Sequence, residues 1–331
     1  MCKRTSLLTF VLIIWVIDQQ LSFAQRSGQC LGVITGLSGN VMVKQVDKTE
    51  FVKTLWGTQL FNGDQIKTTS NSEVTLTLSN SNIIKLGSNS MITISDEKDY
   101  TSVAGANVKK IASATMISLS DLTLKRDDRK ESGALAGLRT GDTDTEQKIE
   151  LTAPYNSLLK TKRPSFSWTS KKPYENFIVN LYSSKGLLWS KKVTGNLLNY
   201  PVDERELEFG GSYFWNVEGE ELISTQKSAS LQFSLLSAEK SKEVESQEAI
   251  IMNTFADETD GSSLHSILGA YYLNQGLLQD AILEFQTIAK MNSEAPLPHE
   301  ILGSLYTDVG NKDKAIEELQ KALSLQKSKN K

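Results

Sequence analysis

The sequence predicts a multidomain protein: an all-β domain, then a β-sandwich, then an all-α stretch of helical hairpins. Three observations carry this. Apolar and polar residues alternate through the first part, large aromatics recur two residues apart in the middle, and a repeat of about 34 residues fills the C-terminal end. At 331 residues the chain has room for two or three domains.

The N-terminus reads as a signal peptide over residues 1–24. Lys3 and Arg4 precede "LLTFVLIIWVI" (Leu7–Ile17), an apolar run short of the roughly 20 residues that span a bilayer. Ser22 and Ala24 supply a small-residue cleavage site, so the mature chain is expected to begin at Gln25. The expectation is an exported protein of the periplasm or cell envelope, without a membrane span after cleavage. An uncleaved anchor is the rival, and Asp18 opposes it by closing the apolar run early.

Composition narrows the partners. The formal net charge is -3 and no strongly basic stretch dominates, which argues against nucleic acid as main partner. Of the two cysteines, Cys2 leaves with the signal and Cys30 stands alone, so no intramolecular disulfide is expected. Ser27-Gly28-Gln29 lacks the apolar residue expected before a lipidated cysteine. Cys30 therefore reads as an incidental thiol near a flexible end.

Residues 25–124 form the first β-domain. "VTLTL" puts Val74, Leu76 and Leu78 on one face and Thr75 and Thr77 on the other, and "MITIS" repeats this with Ile92 and Ile94. "SNSN" (Ser79–Asn82) and "GSNS" (Gly87–Ser90) are turn clusters between short antiparallel strands. "GLSGNVMV" (Gly36–Val43), "LFNGDQIKTTSNSEVTLTL" (Leu60–Leu78) and "IIKLGSNSMITI" (Ile83–Ile94) together resemble the FecR-like β-domain of bacterial envelope proteins. Well-known members of that family relay a signal to a sigma factor through an N-terminal cytosolic arm. Here only Met1–Ser6 precede the apolar run, so that role is not carried over. The resemblance to secreted chains with this domain implies envelope scaffolding or wall-associated binding.

"KRDDRKESGALAGLRTGDTDTEQ" (125–147) is charged, glycine-containing and aperiodic, and reads as a linker. Residues 148–236 come next as a second β-domain. Phe166 with Trp168, Phe177 with Val179 and Leu181, and Tyr213 with Trp215 and Val217 each share one face of a strand. Aromatics at that spacing on separate strands suit a sandwich core. The "P-x-F-x-W" opening (Pro164–Trp168) and "Y-x-W-x-V" strand (Tyr213–Val217) resemble immunoglobulin-like or fibronectin type III-like modules.

Residues 237–331 change period. A leading helix near Glu239–Phe255 is expected to cap the first of two repeats. In those repeats "LGAYYLNQGLLQDAILEFQ" aligns with "LGSLYTDVGNKDKAIEELQ", pairing Leu268 with Leu302, Gly269 with Gly303, Tyr272 with Tyr306, Gly276 with Gly310, Ala281 with Ala315 and Phe285 with Leu319. The constant offset of about 34 residues and the residue types resemble tetratricopeptide repeats. Gly269 and Gly303 permit close helix contact, Gly276 and Gly310 end the first helix of each pair, and the basic tail "QKSKNK" is expected to fray.

No catalytic constellation stands out, so the chain is expected to be no enzyme and to hold no metal or cofactor. His265 and His299 occupy equivalent repeat positions and read as packing residues inside each helix pair. No Walker-type phosphate loop is present, and no carboxylate pair stands out for sugar hydrolysis. Gly63-Asp64 reads as turn chemistry rather than a calcium loop, because the next acid, Glu73, is distant and Lys67 intervenes. Trp56 and Trp189 are weighed as sugar-stacking surfaces against partly buried packing, and packing is favoured.

Binding potential concentrates in the repeats. By the tetratricopeptide resemblance, Ser266, Ala270, Leu273 and Asn274 face a groove in the first repeat, and Glu300, Ser304, Thr307 and Asp308 in the second. The expected occupant is a protein partner. The alternative function is binding of cell-wall glycan or another polysaccharide, with the first β-domain as reader.

Overall fold

The computed structural model describes residues 28–80, 82–104, 107–110, 149–220, 225–256 and 261–329. The expected signal peptide, with Cys2, and the expected linker lie outside the described residues. Among those described, an all-β region with several sheets precedes a helical region of five helices.

Alternation in the first segment becomes two five-stranded antiparallel sheets. One runs β10(Val108–Lys110), β7(Ile83–Leu86), β6(Glu73–Leu78), β1(Cys30–Ser38), β4(Gln59–Phe61). The other runs β3(Val52–Lys53), β2(Val41–Lys44), β5(Gln65–Thr68), β8(Met91–Ser95), β9(Asp99–Ala104). Ile34, Leu60, Val74, Leu76 and Ile84 from the first sheet share a core with Val41, Val43, Ile66, Ile92 and Ile94 from the second. A strand's side chains alternate between faces, so each sheet gives one apolar face to this core.

Thr75 and Thr77, expected on the outer face, are buried as well. The Thr77 and Thr35 hydroxyls lie 3.1 Å apart on adjacent strands, so this polar face is satisfied from within. Cys30 also departs from expectation. It opens β1 and is buried beside Val33 and Phe61 rather than lying at a loose end. Burial pushes its thiol pKa up, which makes it a poor nucleophile.

Gly63-Asp64 is the turn that the sequence suggested. Gly63 has φ +85°, and buried Asp64 accepts the Val46 N–H at 3.1 Å and the Phe61 N–H at 3.0 Å. Asp64 thereby ties two stretches of backbone together.

The second segment builds a three-stranded sheet, β11(Ile149–Ala153), β13(Phe166–Ser170), β16(Leu197–Leu198). Facing it is a six-stranded sheet ordered β12(Leu158–Leu159), β19(Leu231–Leu235), β17(Ser212–Glu220), β14(Phe177–Ser183), β15(Gly186–Val193), with β18(Thr225–Lys227) paired to β17. The core holds Phe166, Trp168, Phe177, Trp189, Trp215 and Phe233. Phe166 meets Trp215 and Trp189 edge-on, with ring centroids 5.1 and 5.5 Å apart. Each such ring contributes about 1.5–3 kcal/mol by leaving water.

The helices are α1(Ala238–Thr254), α2(Ser262–Asn274), α3(Leu278–Met291), α4(Pro296–Asp308) and α5(Lys312–Lys329). Ser237 caps α1 by accepting the Lys240 N–H at 3.1 Å. Helices α2/α3 and α4/α5 form successive hairpins, turning at Gly276 (φ +73°) and Gly310 (φ +85°). The expected frayed tail is instead helical to Lys329, and Gln326 within it bonds the Glu300 carboxylate at 2.5 Å.

Candidate functional site

Each hairpin is built by the same contacts. A Cβ at Gly269 would come within 2.9 Å of Phe285, and one at Gly303 within 2.5 Å of Leu319, so glycine sets how closely the two helices approach. His265 bonds Glu284 through Nδ1 at 2.6 Å, and His299 bonds Glu318 in the same way at 2.6 Å. The acids share the offset of the histidines. Both acids lie inside the aligned stretches, at matching positions, so the repeat alignment already holds this signal. These bonds bridge the two helices of each hairpin, as the packing reading requires. Among the described residues no group of three or more His, Cys, Asp or Glu is placed to hold a metal.

The expected groove residues fall into three groups. Asn274, Thr307 and Asp308 are exposed at the C-terminal ends of α2 and α4. Leu273 and Ser304 are half-buried. Ser266, Ala270 and Glu300 are buried, and the chain's own first β-region covers Ser266. The Ser266 hydroxyl lies 2.8 Å from the Thr35 carbonyl, and the buried Trp56 indole N–H donates to Ser266 Oγ at 2.9 Å and to the Thr35 carbonyl at 2.9 Å. Next to this, Gly57 (φ +82°) lies against Leu297 at the start of α4, where a Cβ would come within 2.7 Å. The N-terminal part of the face is thus filled from within, and its polar C-terminal rim stays open.

The second β-region holds the helices at two further points. Lys160, just after β12, donates to Glu248 of α1 at 2.6 Å and to the Tyr272 hydroxyl at 2.9 Å, and it lies 3.6 Å from Asp280 of α3. Burial, only partly offset by Lys160, pushes the Asp280 carboxyl up to about 6. Burial first, then Glu248, raises the Tyr272 phenol. One repeat later, Tyr306 meets Tyr155 edge-on at 6.2 Å, and Asn311 donates to the Tyr155 hydroxyl at 3.3 Å. Burial pushes Tyr155 up to about 12, so it is a neutral hydrogen-bonding phenol at any physiological pH.

Trp56 and Trp189 are 2% and 6% exposed, which leaves neither ring open to a sugar. A cleft of about 420 Å³ lies beside Lys160, Lys162, Arg163, Phe209, Glu206 and Glu248. Its cations are engaged by its own acids: Lys162 and Arg163 with Glu206, and Lys160 with Glu248. No helix among the described residues is long and apolar enough to cross a membrane.

No protein-family model matches the chain, and no curated protein matches it. Among solved structures it is similar to a cell surface anchoring domain at 25% identity, over 22% of this chain and 93% of that one, with a TM-score of 0.20. An α-L-rhamnosidase from Dictyoglumus thermophilum aligns at 23% identity over 28% of this chain, with a TM-score of 0.23, and the alignment spans 12% of the rhamnosidase. A β-1,2-glucanase from Parabacteroides distasonis aligns over 89% of this chain and 58% of its own at 9% identity, with a TM-score of 0.21. Scores this low carry no argument about fold or activity.

Proposed function

We propose that the chain is an exported scaffold of the bacterial cell envelope that holds a protein partner on its C-terminal repeats. In this reading the first β-region is FecR-like, the second is an immunoglobulin-like or fibronectin-like sandwich, and the hairpins are a tetratricopeptide-like pair. One observation supports it most: the glycine contact and the His–Glu bond are each built twice at the same repeat offset. Repeated hairpins of this kind stack to present an extended face. The open part of that face is the rim carrying Asn274, Thr307 and Asp308, with Leu273 and Ser304 behind it. Amide, hydroxyl and carboxylate groups there suit a peptide backbone or a basic side chain.

The test is co-purification from envelope fractions with the full chain and with a variant carrying Asn274→Ala and Asp308→Ala. A partner retained by the first and lost by the second supports the reading. Equal recovery by both removes the repeat rim from it.

A further inference from the structure

The last helix carries a face that its counterpart one repeat earlier keeps covered. On α3, Ile282, Gln286 and Ala289 lie on one stripe at i, i+4 and i+7. Helix α4 lies on that side: Gln286 donates to the Tyr306 hydroxyl of α4 at 2.7 Å, and Ile282 is 2% exposed. Their equivalents on α5 are Ile316, Gln320 and Leu323. Ile316 is 38% exposed, Gln320 is exposed and Leu323 is half-buried. The repeat therefore supplies the stripe that receives a helix, including the glutamine that bonds it.

The C-terminal half of α5 carries only basic charge, and its N-terminal half carries both signs. Asp313 and Glu317 lie toward the N-terminal end, where Lys312 and Lys314 also stand, and Lys321 and Lys327 lie toward the C-terminal end, all on exposed positions. Glu317 is also bonded to Lys314 at 2.7 Å, yet remains 63% exposed. Glu150 of β11 lies near Asp313: burial first, then the Asp313 charge, raises its carboxyl. On the stripe itself Asp313 precedes Ile316 and Lys327 follows Leu323, each seven residues from Gln320, so the stripe is charge-complementary to an antiparallel copy of itself.

We infer that the Ile316–Gln320–Leu323 face of α5 binds the same face of a second copy of this chain, antiparallel about a two-fold axis at Gln320. Asp313 and Lys327 stand seven residues to either side of Gln320, so each meets the other across the axis. Ile316 of one copy packs near Leu323 of its partner. Gln320 pairs with itself, because a primary amide presents a donor and an acceptor together. Such an interface is isologous and closes as a dimer. It leaves the rim at Asn274 and Asp308 untouched and stands independently of the proposed partner.

The test is sedimentation of the full-length chain, purified after export, over a wide concentration range at low salt. Twice the mass of one chain is expected, and a monomer throughout would overturn the inference. Ile316→Glu, an exposed position, should leave the circular dichroism unchanged and weaken the dimer at least about tenfold. An unchanged dimer places the interface elsewhere and overturns it too. Asp313→Lys and Lys327→Glu should each weaken dimerisation, and the double variant should recover it. Failure of the double variant to recover overturns the antiparallel register.

Discussion

Trp56 and Ser266, 210 residues apart, are joined by a 2.9 Å bond from the indole N–H to the serine hydroxyl, with the Thr35 carbonyl shared between them. A β-turn side chain thus completes the packing of a helix hairpin. Trp56 belongs to the same apolar cluster as Ile267, Leu268 and Leu305. Trp56→Ala should cost about 3–5 kcal/mol by leaving a large cavity there. Trp56→Phe keeps most of the volume and removes the N–H, and should cost about 1 kcal/mol. Denaturant unfolding followed by far-ultraviolet circular dichroism measures both. Near-equal costs would mean that the indole bonds, rather than the ring volume, dominate.

The glycines inside the hairpins set a second expectation. Gly303→Ala places a methyl group within 2.5 Å of Leu319 Cγ and 2.7 Å of its Cδ2. Overpacking of this kind should cost about 1–3 kcal/mol, outweighing the better helix propensity of alanine. Gly269→Ala meets Phe285 at 2.9 Å and should be destabilising for the same reason. A rise in melting temperature for either variant would show that the helices can separate freely.

Asp280 makes stability depend on pH in a direction opposite to a surface ion pair. Its carboxyl is raised to about 6 when folded, above its ordinary value of 3.8, so the folded chain binds this proton more tightly than the unfolded chain does. Its contribution therefore grows as pH falls from about 7 through 6 toward 4, and is lost as pH rises through 6. Asp280→Asn should raise stability by about 1–3 kcal/mol at pH 8, where the buried charge is most costly, and the gain should shrink at pH 5. The check is the difference in unfolding free energy between variant and wild type at the two pH values. A variant less stable at pH 8 would show that attraction to Lys160 outweighs desolvation.

Asp64 is a structural carboxylate, and its removal should behave as such. Asp64→Ala strands the Val46 and Phe61 N–H groups and should cost about 2–4 kcal/mol. Added calcium should leave the melting temperature of the wild type unchanged. A calcium-dependent rise that disappears in Asp64→Ala would restore the metal reading of this turn.

Local features were legible in the sequence. Alternation at Val74–Leu78 placed a strand, the paired aromatics at Phe166 and Trp168 placed a core, and the glycine offset placed two hairpins, because each is set by neighbours within a few residues or one repeat. The joints between regions were not legible. Nothing around Trp56 marks it as a partner for Ser266, and Lys160 in "SLLK" looks like any solvated lysine. Such contacts depend on how finished units meet, and no period in one sequence records that. Repeat position alone puts Ser266 and Glu300 on the groove, and it takes no account of Trp56 or of Gln326 on the extended α5.

The central claim, that the open rim of the repeats receives a protein partner, is tested most directly by site-specific photo-crosslinking in intact cells. A crosslinkable residue at Asn274 or at Asp308 should capture one and the same protein. The same probe at buried Ala270 should capture none. Absence of any product from both rim positions, in cells where the chain is exported and folded, would contradict the claim.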